Sequence, residues 1–391
     1  MNDIVIVDAV RTPVGRFRGS LAGVRADHLG SLVINELLQR TGLSAEQIDD
    51  VIFGCVTQIG EQSANVARTA LLGAGWPASV PGLTLDRKCG SGEAAVHAAV
   101  GAIAAGAAEI VIAGGVESMS RVPMGSNREI HGEAFGWMAL ERHELTSQGE
   151  AAERVAEKWQ ISRDELDAFA LESHRRAAVA ADAGYFEQEI VPVPAGEYCE
   201  KGYEGFTGLL TADETIRRDT SLEKLASLKT SFRPENGRVT AGNSSQISDG
   251  AAALLLMSAE TASRLGLKPR ARIRATVTVG ADPTLMLTGP IEATRKILAK
   301  ADLKIDDVDL FEINEAFASV PIAWLREIGV SADRLNVNGG AIALGHPLGA
   351  SGARIMTSML NELERRNGRY AMQAICCAGG MGTATLIERL V

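Results

Sequence analysis

Short apolar runs rich in β-branched residues alternate along this chain with longer amphipathic segments rich in Ala and Leu. Runs of that length and composition predict β-strands. The chain has one set near its start and another near its end, at 4–10, 49–56, 82–86, 109–115, 271–280, 307–316, 370–377 and 383–391. Because strands that alternate with helices usually form a sheet covered by those helices, the pattern predicts an α/β fold.

The two ends of the chain also resemble each other in sequence. IDDV occurs at 48–51 and 305–308, CGSG at 89–92 is matched by GASG at 349–352, and AGG occurs at 113–115 and 378–380. The matches keep their order at a nearly constant separation, which indicates a duplicated α/β unit. On this interpretation, both AGG sequences form turns at equivalent sheet edges.

The middle of the chain has a different texture. Residues 119–248 are mixed in charge, interrupted by glycine and weakly periodic. Long insertions into compact domains usually carry function, so this segment is predicted to be a lid over a site or an oligomerisation arm. The chain therefore divides into a first half (1–118 with 249–268), a loop domain (119–248) and a second half (269–391).

Composition narrows the functional classes. The 391 residues carry a net charge of −10 and contain no Lys/Arg block of five, which argues against a nucleic-acid partner. The five cysteines show no disulfide-framework spacing and no CxxC pair, so we expect reduced thiols. Without an apolar run of 18 residues or a visible N-terminal leader, we expect a cytoplasmic protein with no membrane partner.

Cys89 is the first candidate for chemistry. It follows a predicted strand and precedes Gly-Ser-Gly and an Ala-rich segment, which places it in a tight turn at a helix N-terminus. The helix dipole there favours a thiolate, and free N–H groups can bind an oxyanion. The alternative is a small buried residue that fills a strand–helix corner.

Three other features are candidates on residue chemistry. His346 lies in the glycine-rich loop NVNGGAIALGHPLGASGAR, which suits close approach of the backbone to a ligand, although a lone histidine is often structural. Asn314 ends a predicted strand and is followed by Glu315; either side chain could instead cap the next helix. Cys376 and Cys377 stand side by side before a glycine turn.

Taken together, these motifs resemble those of the thiolase family, whose members cleave or form 3-ketoacyl-CoA. The resemblance covers the whole chain and rests on VIVDAVRTPVGRFRGSLAG, CGSG, TAGNSSQISDGAAALLLMS, NEAFA, GGAIALGHPLGASGAR and the C-terminal turn. It implies the thiolase fold, an α/β fold of two duplicated αβαβα halves with mixed five-stranded sheets and an inserted loop domain. It also implies a homodimer or homotetramer, acyl-CoA and coenzyme A as substrates, and no bound cofactor or metal.

On this resemblance Cys89 matches the nucleophile that becomes acylated, and His346 matches the histidine that activates it. Asn314 matches the asparagine that holds a water in the first oxyanion hole. The acid/base cysteine of the family matches Cys376 in a gapless alignment between RY at 369–370 and IE at 387–388. Choosing Cys377 instead requires a one-residue deletion, so the alignment favours Cys376.

The same alignment places Ala378 where the family has the first glycine of a triplet. Its backbone N–H, with that of Cys89, matches the second oxyanion hole. Because alanine resists positive φ, we expect either a turn that alanine tolerates or local strain.

The resemblance also assigns contacts to the two parts of the substrate. For coenzyme A it assigns two residues at the adenine end and three along the pantetheine: Arg217 and Phe232, then Ala241, Gly242 and Ser245. The first two could instead be an exposed arginine and a locally packed phenylalanine. For the acyl group it assigns Ser147, Gln148 and Phe317, the first two in place of a His-Met pair of short-chain members.

Loss of that methionine indicates a pocket open to longer or bulkier acyl groups. We therefore expect a degradative 3-ketoacyl-CoA thiolase, as in fatty-acid β-oxidation. The alternatives are an acetoacetyl-CoA-specific acetyltransferase and a non-catalytic CoA- or lipid-binding protein of the same fold. Ketosynthase-like enzymes of this fold lack the second cysteine, so the C-terminal cysteine argues against them. The sequence has no G-x-G-x-x-G motif after its first predicted strand, which argues against a dehydrogenase.

Overall fold

A computed structural model describes residues 3–128 and 130–390. The first part contains β1 (Ile4–Arg11), β2 (Gly15–Arg16), α1 (Ala26–Thr41), β3 (Asp50–Gly54), α2 (Val66–Gly73), β4 (Gly82–Leu85), α3 (Ser91–Ala104) and β5 (Ile110–Ser118). The middle contains α4 (Trp137–Leu140), α5 (Gln148–Lys158), α6 (Arg163–Asp182), β6 (Val193–Pro194), α7 (Ala195–Tyr198), β7 (Leu209–Leu210) and α8 (Leu222–Ala226). The last part contains β8 (Ser248–Ser258), α9 (Ala259–Arg264), β9 (Ala271–Gly280), α10 (Gly289–Ala301), β10 (Leu310–Ile313), α11 (Ser319–Ile328), α12 (Ala341–Leu344), α13 (Leu348–Arg365), β11 (Tyr370–Cys377) and β12 (Met381–Arg389).

The long strands follow one another in the order β10-β11-β12-β9-β1-β8-β5-β3-β4. In the first half β3 runs parallel to β4 and β5, whereas β8 runs antiparallel to β5 and β1. In the second half β10 and β11 are parallel, and β12 runs antiparallel to β11 and β9. A short pairing of β1 with β9 joins the halves. Within the described residues, the first half has the five strands expected and the second has four, with a bridge from Leu335 to Phe311 beyond β10.

The core is divided into layers by the two sheet halves. Between them lie α3 and α13, in one apolar cluster with strand residues of both halves, such as Ile6, Leu254, Leu310 and Ala371. A second cluster lies under α1 and α2, and a third under α10 and α11. This stacking of helix, sheet, helix, sheet and helix confirms the predicted architecture. No helix in the described ranges is long and apolar enough to cross a membrane.

The duplication is real, but two of the sequence matches that suggested it are out of register. Asp49 accepts hydrogen bonds from the N–H groups that begin β5, and Asp309 accepts them from those that begin β11. This offset of 260 residues also relates CGSG to GASG, at the N-termini of α3 and α13. The two IDDV segments are 257 residues apart, so they are three residues out of register with this offset. The first AGG lies inside β5 and not in a turn, so that prediction is wrong.

The loop domain is fastened to the core by a buried arginine. Arg11, on β1, binds Glu189 with Nε at 2.6 Å and Asp213 with Nη1 at 2.7 Å, and all three side chains are almost fully buried. A buried guanidinium must be paired, because its desolvation otherwise costs several kcal/mol. These ion pairs therefore fix where the loop domain lies against the first half.

Gly115 allows α13 to pack directly on β5. A Cβ built there would lie 2.0 Å from the carbonyl oxygen of Gly349, in the first turn of α13. We expect Gly115→Ala to reduce the free energy of unfolding by about 3 kcal/mol, since backbone contacts of this kind cannot relax. Chemical denaturation measures the change. The matched control is Gly101→Ala on α3, where an added Cβ meets nothing within 4 Å and should stabilise by about 0.5–1 kcal/mol.

Candidate active site

Cys89 lies at the turn between β4 and α3, two residues before the helix begins. Lys88 has a φ of 52°, in the left-handed region. Hydrogen bonds from Gly90 N–H to Arg87 O (3.2 Å) and from Ser91 N–H to Lys88 O (2.9 Å) close the turn. The predicted position of Cys89 at a helix N-terminus is therefore confirmed.

Burial decides the protonation state of this thiol. Cys89 lies in a small apolar cluster with Leu348 and Ile375, both from the second half. Burial raises the pKa of Cys89 to about 12, and the hydrogen bond from its own N–H offsets only part of that rise. At neutral pH the thiol keeps its proton. The helix dipole alone does not produce the thiolate that we expected, so ionisation needs a nearby base.

His346 is held between α12 and α13 by contacts on both its backbone and its ring. Its N–H lies 3.1 Å from Gln246 O and 2.8 Å from Ser248 Oγ. The ring Nδ1 lies 2.6 Å from Ser351 Oγ, and that hydroxyl donates to Pro347 O at 2.8 Å. Because the hydroxyl proton is used on the carbonyl, Nδ1 carries the ring proton and Nε2 is the acceptor.

Asn314 lies against that free nitrogen. Its N–H donates to Ala374 O at 3.1 Å, and its Nδ2 lies 3.4 Å from His346 Nε2. Its Oδ1 is buried and has no hydrogen-bond partner within the described residues. Burial and the charge of Arg354 lower the pKa of His346 to about 3, so the imidazole is neutral and can accept a proton.

Glu315, the next residue, organises the surrounding loops. Its carboxylate accepts hydrogen bonds from Ser173 Oγ (2.7 Å), Asn336 Nδ2 (3.0 Å) and the N–H of Ile342 (3.1 Å). The alternative that Asn314 or Glu315 caps the following helix is wrong, because α11 begins four residues after Glu315 without a side-chain cap. Glu315 instead ties the NEAF strand end to the segment that leads to the histidine.

The two adjacent cysteines face opposite sides of β11, as alternate strand residues must. Cys377 packs under the turn that carries Cys89: a Cβ added to Gly90 would lie 2.6 Å from its Sγ. Cys376 belongs instead to the apolar cluster that contains Phe317 and Ala378. Burial raises the pKa of both thiols, and the nearby Cys89 adds to each rise.

Ala378 does not adopt the strained conformation that was one of our two expectations. Gly379 and Gly380 have φ values of 90° and 76°, whereas Ala378 lies outside the left-handed region. The turn between β11 and β12 thus places its positive φ angles on the two remaining glycines. The Ala378 N–H stays next to the strand that carries Cys376.

Two aromatic rings lie at the edge of the site. Phe317 is buried and packs edge-to-face on the half-exposed Phe232, with ring centroids 6.0 Å apart. Gly149, in the first turn of α5, makes room for Phe232, because a Cβ there would lie 2.1 Å from its ring. Phe232, predicted at the adenine end of coenzyme A, therefore contacts Phe317, predicted beside the acyl group.

The other predicted coenzyme contacts divide into two groups. Ser245 donates its N–H to Ala316 O at 3.0 Å, and Gly242 is buried against the side chains of α8 and the residues after it. Ser245 therefore lies beside the NEAFA segment. Arg217 and Ala241 are exposed on the surface.

The predicted acyl-pocket pair begins α5. Ser147 is exposed and caps the helix, and Gln148 is half-buried. The segment before them is joined to loop 281–288 by a hydrogen bond from Thr146 Oγ1 to Thr284 O at 3.0 Å. In that loop Met286 is buried with a φ of 51° and lies in the same apolar cluster as Cys376.

Sequence reasoning missed several residues that build the site. Ser351 orients the imidazole, and Ser248 holds its backbone. Glu117 accepts hydrogen bonds from the N–H groups of Val56, Thr57 and Gly349, at the start of α13. Ser248 and Glu117 contact partners that are distant in sequence, and the five-residue separation of Ser351 from His346 carries no specific signal. Ser351 and Ser248 lay within motifs already singled out, but neither was assigned a role.

Comparison with known proteins gives a consistent result. The chain matches the thiolase N-terminal domain over residues 4–260 and the thiolase C-terminal domain over residues 267–389. It is 47% identical to the steroid 3-ketoacyl-CoA thiolase FadA6 of Mycobacterium tuberculosis, covering all of this chain and 95% of that protein. It is also 47% identical to a beta-ketoadipyl-CoA thiolase of Escherichia coli, covering 100% of both. The crystal structure of the Bacillus anthracis acetyl-CoA acetyltransferase superposes with a TM-score of 0.90 at 41% identity, over 100% of this chain and 99% of that one.

Nearly the whole chain is thus covered by the two thiolase domain families and by relatives that are named as thiolases or as an acetyltransferase. The layered fold, the turn that carries Cys89 and the histidine loop lie within the matched ranges. This chain belongs to the thiolase family and is an acyltransferase.

Proposed function

We propose that the chain is a 3-ketoacyl-CoA thiolase in which Cys89 is the nucleophile and Cys376 the general acid and base. The observation that carries the proposal is the Asn314–His346–Ser351 arrangement, which presents an unprotonated imidazole nitrogen in a site with buried thiols. This arrangement of a proton acceptor and buried thiols supports acyl transfer through a covalent thioester.

The first half-reaction begins with transfer of the Cys89 proton to His346 Nε2. The sulfur attacks the 3-keto carbon, and the resulting oxyanion is bound by the N–H groups of Cys89 and Ala378. Collapse of this intermediate breaks the C2–C3 bond. The electron pair passes to C2, where the Cys376 thiol protonates it and releases acetyl-CoA.

The second half-reaction returns both thiols to their starting state. The Cys376 thiolate removes the proton of the incoming coenzyme A, whose sulfur attacks the acyl-Cys89 thioester. The oxyanion of this second tetrahedral intermediate is bound, like the first, by the N–H groups of Cys89 and Ala378, whereas protonated His346 Nε2 and a water held by Asn314 bind the thioester oxygen of the acetyl-CoA carbanion in the first half-reaction. Cys89 leaves and recovers its proton from His346. The cycle is ping-pong and reversible, and none of its steps uses a metal or a redox cofactor.

For the acyl group we propose an apolar chain or ring system longer than acetoacetyl. The relatives carry names with two different acyl groups, one steroid and one β-ketoadipyl. Here the flanking cluster of Met286, Phe317 and Phe232 is apolar. The nearby cations are already paired: Arg154 binds Glu144 and Glu150, and Arg233 binds Glu150 and Glu157. A terminal carboxylate on the acyl group would lie near three glutamates and two arginines whose positive charges those glutamates already balance.

An acetoacetyl-CoA-specific acetyltransferase is the second candidate. It is favoured by the 0.90 TM-score to a protein named acetyl-CoA acetyltransferase and by the Phe232–Phe317 stack, which narrows one side of the site.

We further propose a cytoplasmic homodimer or homotetramer. Exposed apolar side chains between 124 and 140, such as Trp137 and Met138, support association through the loop domain.

Substitution of each adjacent cysteine tests which one is the acid and base. We expect Cys376→Ala to lower kcat for thiolysis by at least about 10³-fold, because no group remains to protonate the carbanion. Cys377→Ala should keep kcat within about 10-fold, since that thiol fills space under Gly90. Steady-state kinetics with a 3-ketoacyl-CoA measures both. The reverse ranking would contradict the gapless alignment.

The turn after β11 gives a second prediction. Ala378→Gly should change kcat by less than about 3-fold, because Ala378 already avoids positive φ. Gly380→Ala should lower it at least about 10²-fold, since φ is 76° and an added Cβ would lie 2.7 Å from Ala281 O. Thiolysis rates on folded protein, verified by circular dichroism, provide the measurement. A large gain in Ala378→Gly would mean that alanine strains the oxyanion hole.

Matched substrates test the acyl group. We expect kcat/KM for 3-oxohexanoyl-CoA to exceed that for 3-oxoadipyl-CoA, its counterpart with a terminal carboxylate, by at least about 10-fold. Glu150→Gln should narrow the gap, because it frees positive charge on Arg154 and Arg233. Preference for 3-oxoadipyl-CoA would refute the apolar assignment. A sharp preference for acetoacetyl-CoA over both would favour the acetyltransferase.

A further inference from the structure

A carboxylate buried beneath the turn that carries Cys89 takes part in none of the proposed thiolysis steps. Glu93 lies in the first turn of α3, four residues after Cys89, and its side chain is completely buried. Charged side chains are almost never fully buried without partners. The identity of those partners indicates a purpose.

Both oxygens of Glu93 bind hydroxyls from the opposite half of the molecule. Thr385 Oγ1 donates to Oε1 at 2.6 Å, and Thr383 Oγ1 donates to Oε2. The two threonines lie on one face of β12, the strand that follows the Ala378 turn. His97, one helical turn further along α3, lies with its Nε2 2.9 Å from Thr385 Oγ1. Glu93 therefore fastens the start of α3 to the β11–β12 hairpin.

The backbone around Glu93 fits that hairpin and its neighbours closely. A Cβ on Gly90 would lie 2.6 Å from Cys377 Sγ and 2.9 Å from Thr383 Oγ1. A Cβ on Gly352, in α13, would lie 2.2 Å from the Glu93 nitrogen. At these contacts, a shift of α3 by even an ångström must displace the hairpin or α13.

We propose that Glu93 is a positioning residue that sets the separation between Cys89 and the groups on the β11–β12 hairpin, Cys376 and the Ala378 N–H. The proposal rests on the thiolase roles given to those groups above. Cys89 is carried by the first half and its two partners by the second, yet all three must reach one substrate, Cys89 and the Ala378 N–H at its C3 carbonyl and Cys376 at the adjacent C2. Glu93 bridges the halves at the helix that begins just after the nucleophile.

The surroundings favour a hydrogen-bonding role over a purely ionic one. Burial raises the pKa of Glu93 to about 7, against the effect of the threonine hydroxyls. Burial also lowers the pKa of His97 to about 3, so the imidazole supplies an N–H and not a counter-charge. Glutamine has nearly the same shape and both a donor and an acceptor, so it should replace most of these bonds, whereas leucine cannot.

The test compares Glu93→Leu, Glu93→Gln and Thr385→Val on the full-length chain. Glu362→Gln is the matched control, because it alters a buried carboxylate near the far end of α13. Two quantities are measured: kcat and KM for thiolysis, and the yield of the Cys89–Cys376 cross-link formed by dibromobimane, assigned by peptide mapping. The cross-link reports the separation of the thiols and does not depend on turnover.

We expect Glu93→Leu and Thr385→Val to lower kcat and the cross-link yield by at least about 10-fold, with KM for coenzyme A within about 2-fold. Glu93→Gln should stay within about 3-fold of the wild type, and Glu362→Gln should match it. If Glu93→Leu fails to fold, Thr385→Val decides alone. Folded variants with wild-type kcat and cross-linking would overturn the proposal. A wild-type protein without thiolysis, but with cross-linking that needs Glu93, would instead refute the proposed function.

Discussion

The site depends on the close approach of two helix N-termini between the two halves of the sheet. α3 begins just after Cys89 and α13 begins just after His346. Backbone meets backbone there at glycines from both halves, where an added Cβ would lie within 2.7 Å of a neighbouring backbone atom: Gly54, Gly92, Gly115, Gly349 and Gly352. This packing brings the positive ends of two helix dipoles together, which suits a reaction that passes through oxyanions and thiolates. Glu117, bound to the N–H of Gly349, balances one of those ends.

Burial then sets the chemistry that the packing allows. It raises the pKa of Cys89 to about 12 and lowers that of His346 to about 3, so both groups are neutral at physiological pH. Neutral groups carry a small desolvation penalty, and charge appears only while substrate supplies an oxyanion for the surrounding dipoles to bind. The Ser351 and Asn314 contacts fix which imidazole nitrogen takes part. The second thiol, Cys376, needs burial for the same reason.

Much of this could be predicted from the sequence, and the reasons are local. The strand and helix pattern gave the layered α/β architecture, and CGSG placed Cys89 at a helix N-terminus, because short-range sequence determines those features. The repeat was inferred with two matches out of register, since three or four identical residues can occur without structural equivalence. The face of β11 on which each cysteine lies and the contacts of Glu93 depend on partners distant in sequence. The Ser351 contact is local, but it depends on the turn between His346 and α13. Burial, which reverses the expected ionisation of Cys89, is likewise a property of the assembled core.

The central claim is that Cys89 becomes acylated within this site, and mass spectrometry tests it most directly. The wild-type protein would be mixed with acetyl-CoA, quenched in acid within a second and digested for peptide mapping. The account predicts a single acetyl group, on the peptide containing Cys89, and its absence when His346 is replaced by alanine. An acetyl group on Cys377, or none on Cys89 while acetyl-CoA is consumed, would contradict it.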